Sequence, residues 1–495
     1  MIQINGENLT LEQVISVVRD FEKVEIDSSC FDAMKVSVDT VQGFIDQEKV
    51  VYGVTTGFGA LANVSIPAEK VKELQKNIIL SHAAGVGEPF EDEIVRAMML
   101  LRANSLVKGF SGIRIDSVNK LIAFLNNNII PVVPCQGSVG ASGDLAPLAH
   151  VAMALMGYGK VKYKGEILDA EYAINDCGLE KLVPIQKEGL ALLNGTQMMA
   201  SVLCVTLDKA YRLLEWSLVS ASMTIDALRG SKTPFDLRIH KIRNHPGQQY
   251  VSGRIGEYLS GSEIMESHKN CSKVQDAYSL RAIPQVVGAV KDSLDYVRTV
   301  LEREINSVTD NPIIVDGEAL SGGNFHGEPL ALVADFLSIA LAELGSITER
   351  RIDRLVNPLV SSLPPFLARG AEGLNSGYMI WQYTSAALAS ENKSLCHPAS
   401  VDSIPTSAFQ EDHVSMGSIA SRKSKEVLKN VYKIIAIEIM LSYRGLEFLS
   451  ELKTGEKLDD IINEFKGEFS EYKEDRYFGE DFERILNYIS ENDPK

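Results

Sequence analysis

GSVGASGDLAPLAH, Gly137 to His150, is the stretch around which the chain organises. Gly137, Gly140 and Gly143 fall at three-residue intervals around Ser142 and Asp144, and an apolar run that reads as a helix follows. Glycines let a backbone take positive φ and approach other groups closely, which proteins use in turns, anion cradles and unusual backbone chemistry. A phosphate loop needs a lysine after its last glycine, and none follows Gly143. A dinucleotide fingerprint needs GxGxxG, a spacing absent here. The hydrolase elbow GxSxG comes closer, but Asp144 stands where its second glycine belongs. The plain alternative is a glycine-rich turn with Asp144 capping the helix that follows.

Outward from this stretch the pattern is helical. Residues 68 to 80, 91 to 107 and 116 to 127 carry apolar residues at helical spacing. Two glycine-punctuated loops precede them or lie between them: VYGVTTGFGALAN, which holds Tyr52, and SHAAGVGEP, which holds His82. VISVVRDFEKV and MKVSVDTVQGFIDQEK near the start also read as helical, whereas KVKYKGEIL alternates as a strand pair turning at Lys164-Gly165. Downstream the helices lengthen. One signal runs from Glu188 to Leu228 and contains NGTQ at Asn194. Another runs from Pro329 to Val356 and ends before Asn357-Pro358, because a proline restricts its predecessor. A third spans about Ser418 to Leu452, and its Ile434 to Leu441 portion is apolar nearly all round. Such a segment belongs at the centre of a bundle or against another subunit. The last 45 residues hold 14 acids against 7 bases, which suggests a solvated, acidic helical tail. The expected fold is mainly α. It has a long central helix bundle over 191–495 and a smaller mixed N-terminal part over 1–190 that carries the glycine-rich loops.

Bulk properties narrow the class. At 495 residues and 45% hydrophobic the chain can bury a large core, and a net charge of −17 argues against nucleic acid or anionic membrane as the main partner. The start, MIQINGENLT, has no basic region leading into an apolar one, so no secretory signal is expected. No uninterrupted apolar run reaches ~18 residues, so no membrane span is expected either. Cys30, Cys135, Cys177, Cys204, Cys271 and Cys396 are scattered without a CxxC pair, which suits reduced thiols in the cytoplasm. The eight histidines include no HExxH, and His268 with Cys271 is a weak metal hint; no metal is expected.

GSVGASGDLAPLAH resembles the signature of the aromatic amino acid ammonia-lyases. YGVTTGFG, SHAAGVGEP, EGLALLNGTQ, HKNCSKVQDAYSLRAIPQ, SGGNFHGEP, LPPFLARG, NSGYMIWQ and VDSIPTSAFQEDHVSM resemble that family's blocks in its order, over almost the whole chain. They are most similar to the branch that acts on histidine. The resemblance implies that Ala141, Ser142 and Gly143 cyclise and dehydrate into 4-methylidene-imidazol-5-one (MIO), an internal electrophile, with no external cofactor. Small residues permit the compressed backbone this needs, and serine supplies the hydroxyl that is lost. Asp144 would help that dehydration or cap the helix. The resemblance further implies a homotetramer whose active sites mix residues from different subunits. The expected reaction is deamination of L-histidine to trans-urocanate and ammonia.

The chemistry needs a base for the β proton within hydrogen-bond reach and a way to make ammonia leave. Tyr52 matches the family's catalytic tyrosine; with a reference pKa near ~10, a tyrosine base needs neighbours that lower it. Arg281 matches the arginine that takes the substrate carboxylate, a bidentate task suited to a guanidinium. Asn194 matches the amide that holds the amino group and the electrophile's oxygen. Gln275 and Tyr278 match positions that orient substrate and close the site, and Phe325 matches a residue packed beside the electrophile. His82 and Glu411 would read the imidazole, whose two nitrogens a histidine and a carboxylate can satisfy. A phenyl ring would leave those groups unpaired, at roughly 1–3 kcal/mol each. One position departs from the family: SAFQEDH carries Phe409 where histidine lyases usually have asparagine, which leaves the reaction type alone but removes an amide two residues before Glu411 and adds a large apolar ring. Alternatives are the same chemistry on tyrosine or phenylalanine, an aminomutase that re-adds the amine, or a serine hydrolase using Ser142.

Overall fold

The computed structural model describes residues 1–269, 274–371 and 373–494, so Cys271 and the centre of the HKNCSKVQ block lie outside the described residues. The chain is mainly α and divides into two compact units. The first comprises Met1–Val205, Arg298–Asp335 and Pro398–Arg422; the second comprises Thr206–Val297, Phe336–His397 and Lys423–Lys495.

In the first unit the Asp92–Leu106 helix is buried on every side from Ile94 onward. It carries two buried arginines, and Arg96 donates to the Val17 carbonyl at 2.6 Å, the Leu125 carbonyl at 3.2 Å and Asn128 Oδ1 at 2.8 Å. Leu11–Arg19, opened by a Thr10–Gln13 capping box, and Ile115–Asn126 pack on it, while Val71–His82 and Leu145–Leu155 pack on each other. The helical signal read through Val24 stops at Arg19. Phe21 takes φ 56°, and Val24–Ile26 pairs in parallel with Ile2–Ile4 instead. Lys160–Tyr163 and Glu166–Asp169 form the expected hairpin, and its turn residues Lys164 and Gly165 both have positive φ, as a tight two-residue hairpin turn demands. Val86–Pro89 pairs antiparallel with Pro134–Gln136, which fastens the loop after His82 to the residues leading into Gly137.

The second unit is built on long helices. The Ile434–Leu441 segment is wholly buried inside the chain, so intrachain packing accounts for its all-round apolar character. Its one acid, Glu438, holds the equally buried Arg351 through bonds of 2.5 and 2.8 Å, and Ser220 and Thr224 also donate to it. The C-terminal acidic stretch forms the helices Glu456–Phe465 and Gly479–Glu491, each with one buried face rather than a fully solvated one. Trp216 packs edge-on against Phe465 and Tyr488 there. Among the described residues the Glu328–Val356 helix alone is long and apolar enough to cross a membrane, although no uninterrupted apolar run foreshadowed it; 67% of its apolar window is buried inside the chain.

Candidate active site

Gly137 to Asp144 is held from both sides. Ser415 Oγ donates to the Gly140 carbonyl at 2.8 Å and Ser418 Oγ donates to the Ser138 carbonyl. Ala141 packs with Val414 and Met416. Gly143 has φ +70°, and its backbone pairs in parallel with Gly195 so closely that a Cβ on Gly143 would stand 2.3 Å from the Gly195 oxygen. No residue but glycine fits that position. Asp144 leaves its own helix uncapped; its Oδ2 instead accepts the Met199 N–H at 3.0 Å, at the start of the Gln197–Ala227 helix, while Oδ1 accepts from Ser138 Oγ at 2.9 Å. Burial pushes the Asp144 carboxyl up to about 7, against the pull of those hydrogen bonds.

Five of the sequence-derived residues line one cavity of about 390 Å³: Tyr52, His82, Ser142, Asn194 and Glu411. Ser142 Oγ donates to Glu411 Oε1 at 2.5 Å, and the other carboxylate oxygen accepts from Thr406 Oγ1 at 2.5 Å. Asn194 follows the Glu188–Leu193 helix, and its Nδ2 donates to the Ser142 carbonyl at 3.0 Å. Its Oδ1 is buried without a partner. His82 ends the Val71–His82 helix with Nδ1 3.1 Å from Ser81 Oγ. Burial draws its pKa below the ordinary value, and a backbone hydrogen bond at Ile78 and then the Glu411 charge oppose this in part. The Tyr52 hydroxyl accepts the Gly59 N–H at 3.2 Å, and its ring stands edge-on to Phe58 with centroids 6.3 Å apart.

Some functional residues escaped the sequence reading. Gln75 is fully buried; its Nε2 donates to the Gly53 carbonyl at 3.2 Å and its Oε1 accepts from the Leu190 N–H at 3.2 Å. It therefore ties the Tyr52 loop and the helix before Asn194 to the helix that carries His82. Nothing in ELQKN marks such a residue. Thr406 was legible in principle, five residues before Glu411 in the same block.

Other expected residues are not among those lining this cavity. Phe325 is half-buried in its loop, although Gly327, two residues on, donates to the Gly140 carbonyl at 3.2 Å. Phe409 is 79% exposed with φ 66°, and it also stays outside the lining. Gln275, Tyr278 and Arg281 belong to the second unit. There the Arg281 guanidinium lies 4.4 Å from the centre of the Tyr278 ring, its Nε donates to the Asp276 carbonyl at 3.0 Å, and Tyr278 is 72% exposed. Among the described residues no cluster of three or more His, Cys, Asp or Glu is arranged to hold a metal.

The aromatic amino acid lyase family model matches residues 9–467, and the chain belongs to this family. It is 47% identical over 490 residues to the histidine ammonia-lyase of Alkaliphilus oremlandii, covering 99% of this chain and 96% of that one. It is 49% identical to the histidine ammonia-lyase of Caldanaerobacter subterraneus subsp. tengcongensis, over 96% of this chain and 94% of that one. Among solved structures, histidine ammonia-lyase from Trypanosoma cruzi superposes with a TM-score of 0.91 at 38% identity, covering 99% of this chain and 93% of that one. Tyrosine aminomutase from Streptomyces globisporus superposes with a TM-score of 0.94 at 35% identity, covering 99% and 97%.

Proposed function

We propose that this chain is a cytoplasmic carbon–nitrogen lyase that removes ammonia non-oxidatively from L-histidine to give trans-urocanate. The observation that carries the substrate is that Glu411 and His82 line one cavity together with Ser142, to which Glu411 is hydrogen-bonded. A neutral histidine and a carboxylate together satisfy the nitrogens of an imidazole, whereas a phenyl ring would leave both unpaired. The high identity to relatives named histidine ammonia-lyase supports the same reading.

The residues fit an MIO group made from Ala141, Ser142 and Gly143. Gly143 sits at a positive φ where no side chain fits, and the Ser142 carbonyl, which would become the ring oxygen, already receives the Asn194 amide. Such a group supplies an electrophilic carbon that turns the substrate amine into a better leaving group. The chain's own residues do the rest. The buried, unpartnered Asn194 Oδ1 accepts a hydrogen from the substrate's amino group. Tyr52, held at Gly59, takes the β proton on its hydroxyl oxygen. Arg281 binds the substrate carboxylate, with Gln275 and Tyr278 orienting substrate and Phe325 flanking the electrophile, in sites shared between subunits of a homotetramer. Purified protein supplied with L-histidine should release ammonia and a near-ultraviolet-absorbing acid in equal amounts; release of neither overturns the proposal.

A further inference from the structure

Behind the Asn194–Gly195 turn lies a buried polar group whose side chains are not among those lining the cavity. Arg102, on the Asp92–Leu106 helix, donates from Nε to the Ala191 carbonyl at 2.9 Å and from Nη1 to Gln197 Oε1 at 2.8 Å. Gln197 Nε2 donates in turn to Thr309 Oγ1 at 2.9 Å. All three side chains are buried. Next to Thr309, Asp310 pairs with Lys187 at 2.5 Å, both fully buried, which ties this segment to the residue before the Glu188–Leu193 helix. The group thus grips the turn upstream at Ala191 and downstream at Gln197.

Gly195 is caught between this group and the Ala141–Gly143 segment. A Cβ on Gly195 would stand 2.3 Å from Arg102 Nη1, 2.3 Å from Gln197 Oε1 and 2.8 Å from Thr309 Oγ1. On the other side its carbonyl accepts the Asp144 N–H at 2.7 Å and leaves no room for a Cβ on Gly143. The order is brace, Gly195, Gly143, with no slack at either contact. Keeping a guanidinium there is costly, since burial pulls the Arg102 pKa down to about 10.

We infer that Arg102, Gln197 and Thr309 are positioning residues for the chain's own maturation, bracing Gly195 so that Gly143 is held against Ala141 for cyclisation. This rests on the reading of Ser142 given above. In the step they favour, the Gly143 nitrogen bonds to the Ala141 carbonyl carbon. That carbonyl oxygen leaves as water with the Gly143 and Ser142 amide protons, and a carbon–nitrogen double bond remains. Ser142 then loses its hydroxyl group, Oγ with its proton, and its Cα hydrogen as a second water, which leaves the exocyclic methylidene.

The test is intact mass of the full chain, followed over time after expression, for wild type, Thr309→Val, Gln197→Met and Thr224→Val. Thr224→Val is the control: it removes one hydroxyl from a buried polar network, the one around Glu438, as Thr309→Val does at the brace. Thermal melts establish which variants are folded; if Thr309→Val does not fold, Gln197→Met carries the test. Wild type and Thr224→Val should reach the mass two waters below the encoded one. The brace variants, though folded, should convert on the order of ten-fold more slowly, the effect of one misplaced buried hydrogen bond. Brace variants that convert as fast as Thr224→Val overturn the inference. Wild type at its encoded mass would instead refute the cyclisation reading itself, and the brace with it.

Discussion

Ser142 and Glu411, 269 residues apart in the chain, meet in a 2.5 Å hydrogen bond from the serine Oγ to the carboxylate Oε1. The bond joins the residue from which the electrophile would be made to the residue that would read the substrate ring. A tight loop makes it possible. Thr406 and Glu411 pair backbone to backbone, and Ser407, Ala408 and Phe409 between them all take positive φ.

Ser142→Ala removes the hydroxyl that becomes leaving water. Turnover of histidine should fall by on the order of a thousand-fold or more, with an unfolding midpoint near that of wild type. A folded variant that keeps most of its activity would show that Ser142 is not consumed in building the catalyst.

Glu411→Gln keeps an acceptor for the ring but loses the charge. Histidine kcat/KM should fall about 10- to 100-fold, the range set by one impaired buried hydrogen bond to a charged group. The relative rate on phenylalanine or tyrosine should rise. Intact mass of the same sample separates this from a failure to mature. A fully matured variant with an unchanged histidine kcat/KM would remove Glu411 from substrate recognition.

Tyr52→Phe deletes the proposed base and keeps the edge-on contact with Phe58. The expected loss is in kcat, roughly 10²- to 10⁴-fold, with KM little altered. A loss confined to KM would assign Tyr52 to binding alone.

Asp144 predicts a pH dependence of stability. Its folded pKa of about 7 lies above the ordinary 3.8, so the folded chain binds the extra proton between those values. Its stabilising contribution is therefore complete at low pH and is lost as pH rises through about 7. His82 acts the other way, because its folded pKa is lowered and stability is lost as pH falls below its ordinary value of 6.5. Comparing wild type with Asp144→Asn cancels the His82 effect. Between about pH 5.5 and 8.5, wild type should lose on the order of 2 kcal/mol relative to the variant in denaturant melts. A difference that does not change with pH contradicts the raised pKa.

Phe409→Asn restores the family's usual residue at a φ of 66°, which asparagine tolerates better than a bulky ring. The variant should be more stable by about 0.5–1 kcal/mol and keep its histidine kcat/KM within about three-fold. A switch of substrate preference would place Phe409 in recognition after all.

Local rules carried the sequence reading a long way. Pro358 ends its helix at Val356, and Lys164-Gly165 turns its hairpin, because each is decided by a residue's own backbone limits. The first helix ends at Arg19 against its periodicity, because Phe21 takes a left-handed φ and Val24–Ile26 pairs with the distant strand Ile2–Ile4. Asp144 showed the limit of local reasoning. An acid before an apolar run reads as a cap for that run, yet it caps a different helix more than 50 residues on. Tyr52, His82, Ser142, Asn194 and Glu411 were legible through block resemblance. Gln75 and Arg102 were not, because a buried polar side chain is defined by its distant partners and leaves no pattern in its own segment.

The central claim is the substrate. Purified wild-type chain should be incubated in parallel with L-histidine, L-tyrosine and L-phenylalanine, following ammonia and the near-ultraviolet absorbance of each unsaturated acid. L-histidine should be turned over with a kcat/KM at least about 100-fold above L-phenylalanine, whose ring leaves two polar groups unpaired, and at least about 10-fold above L-tyrosine, whose hydroxyl can satisfy one of them. Rapid turnover of tyrosine or phenylalanine with none of histidine would contradict the account.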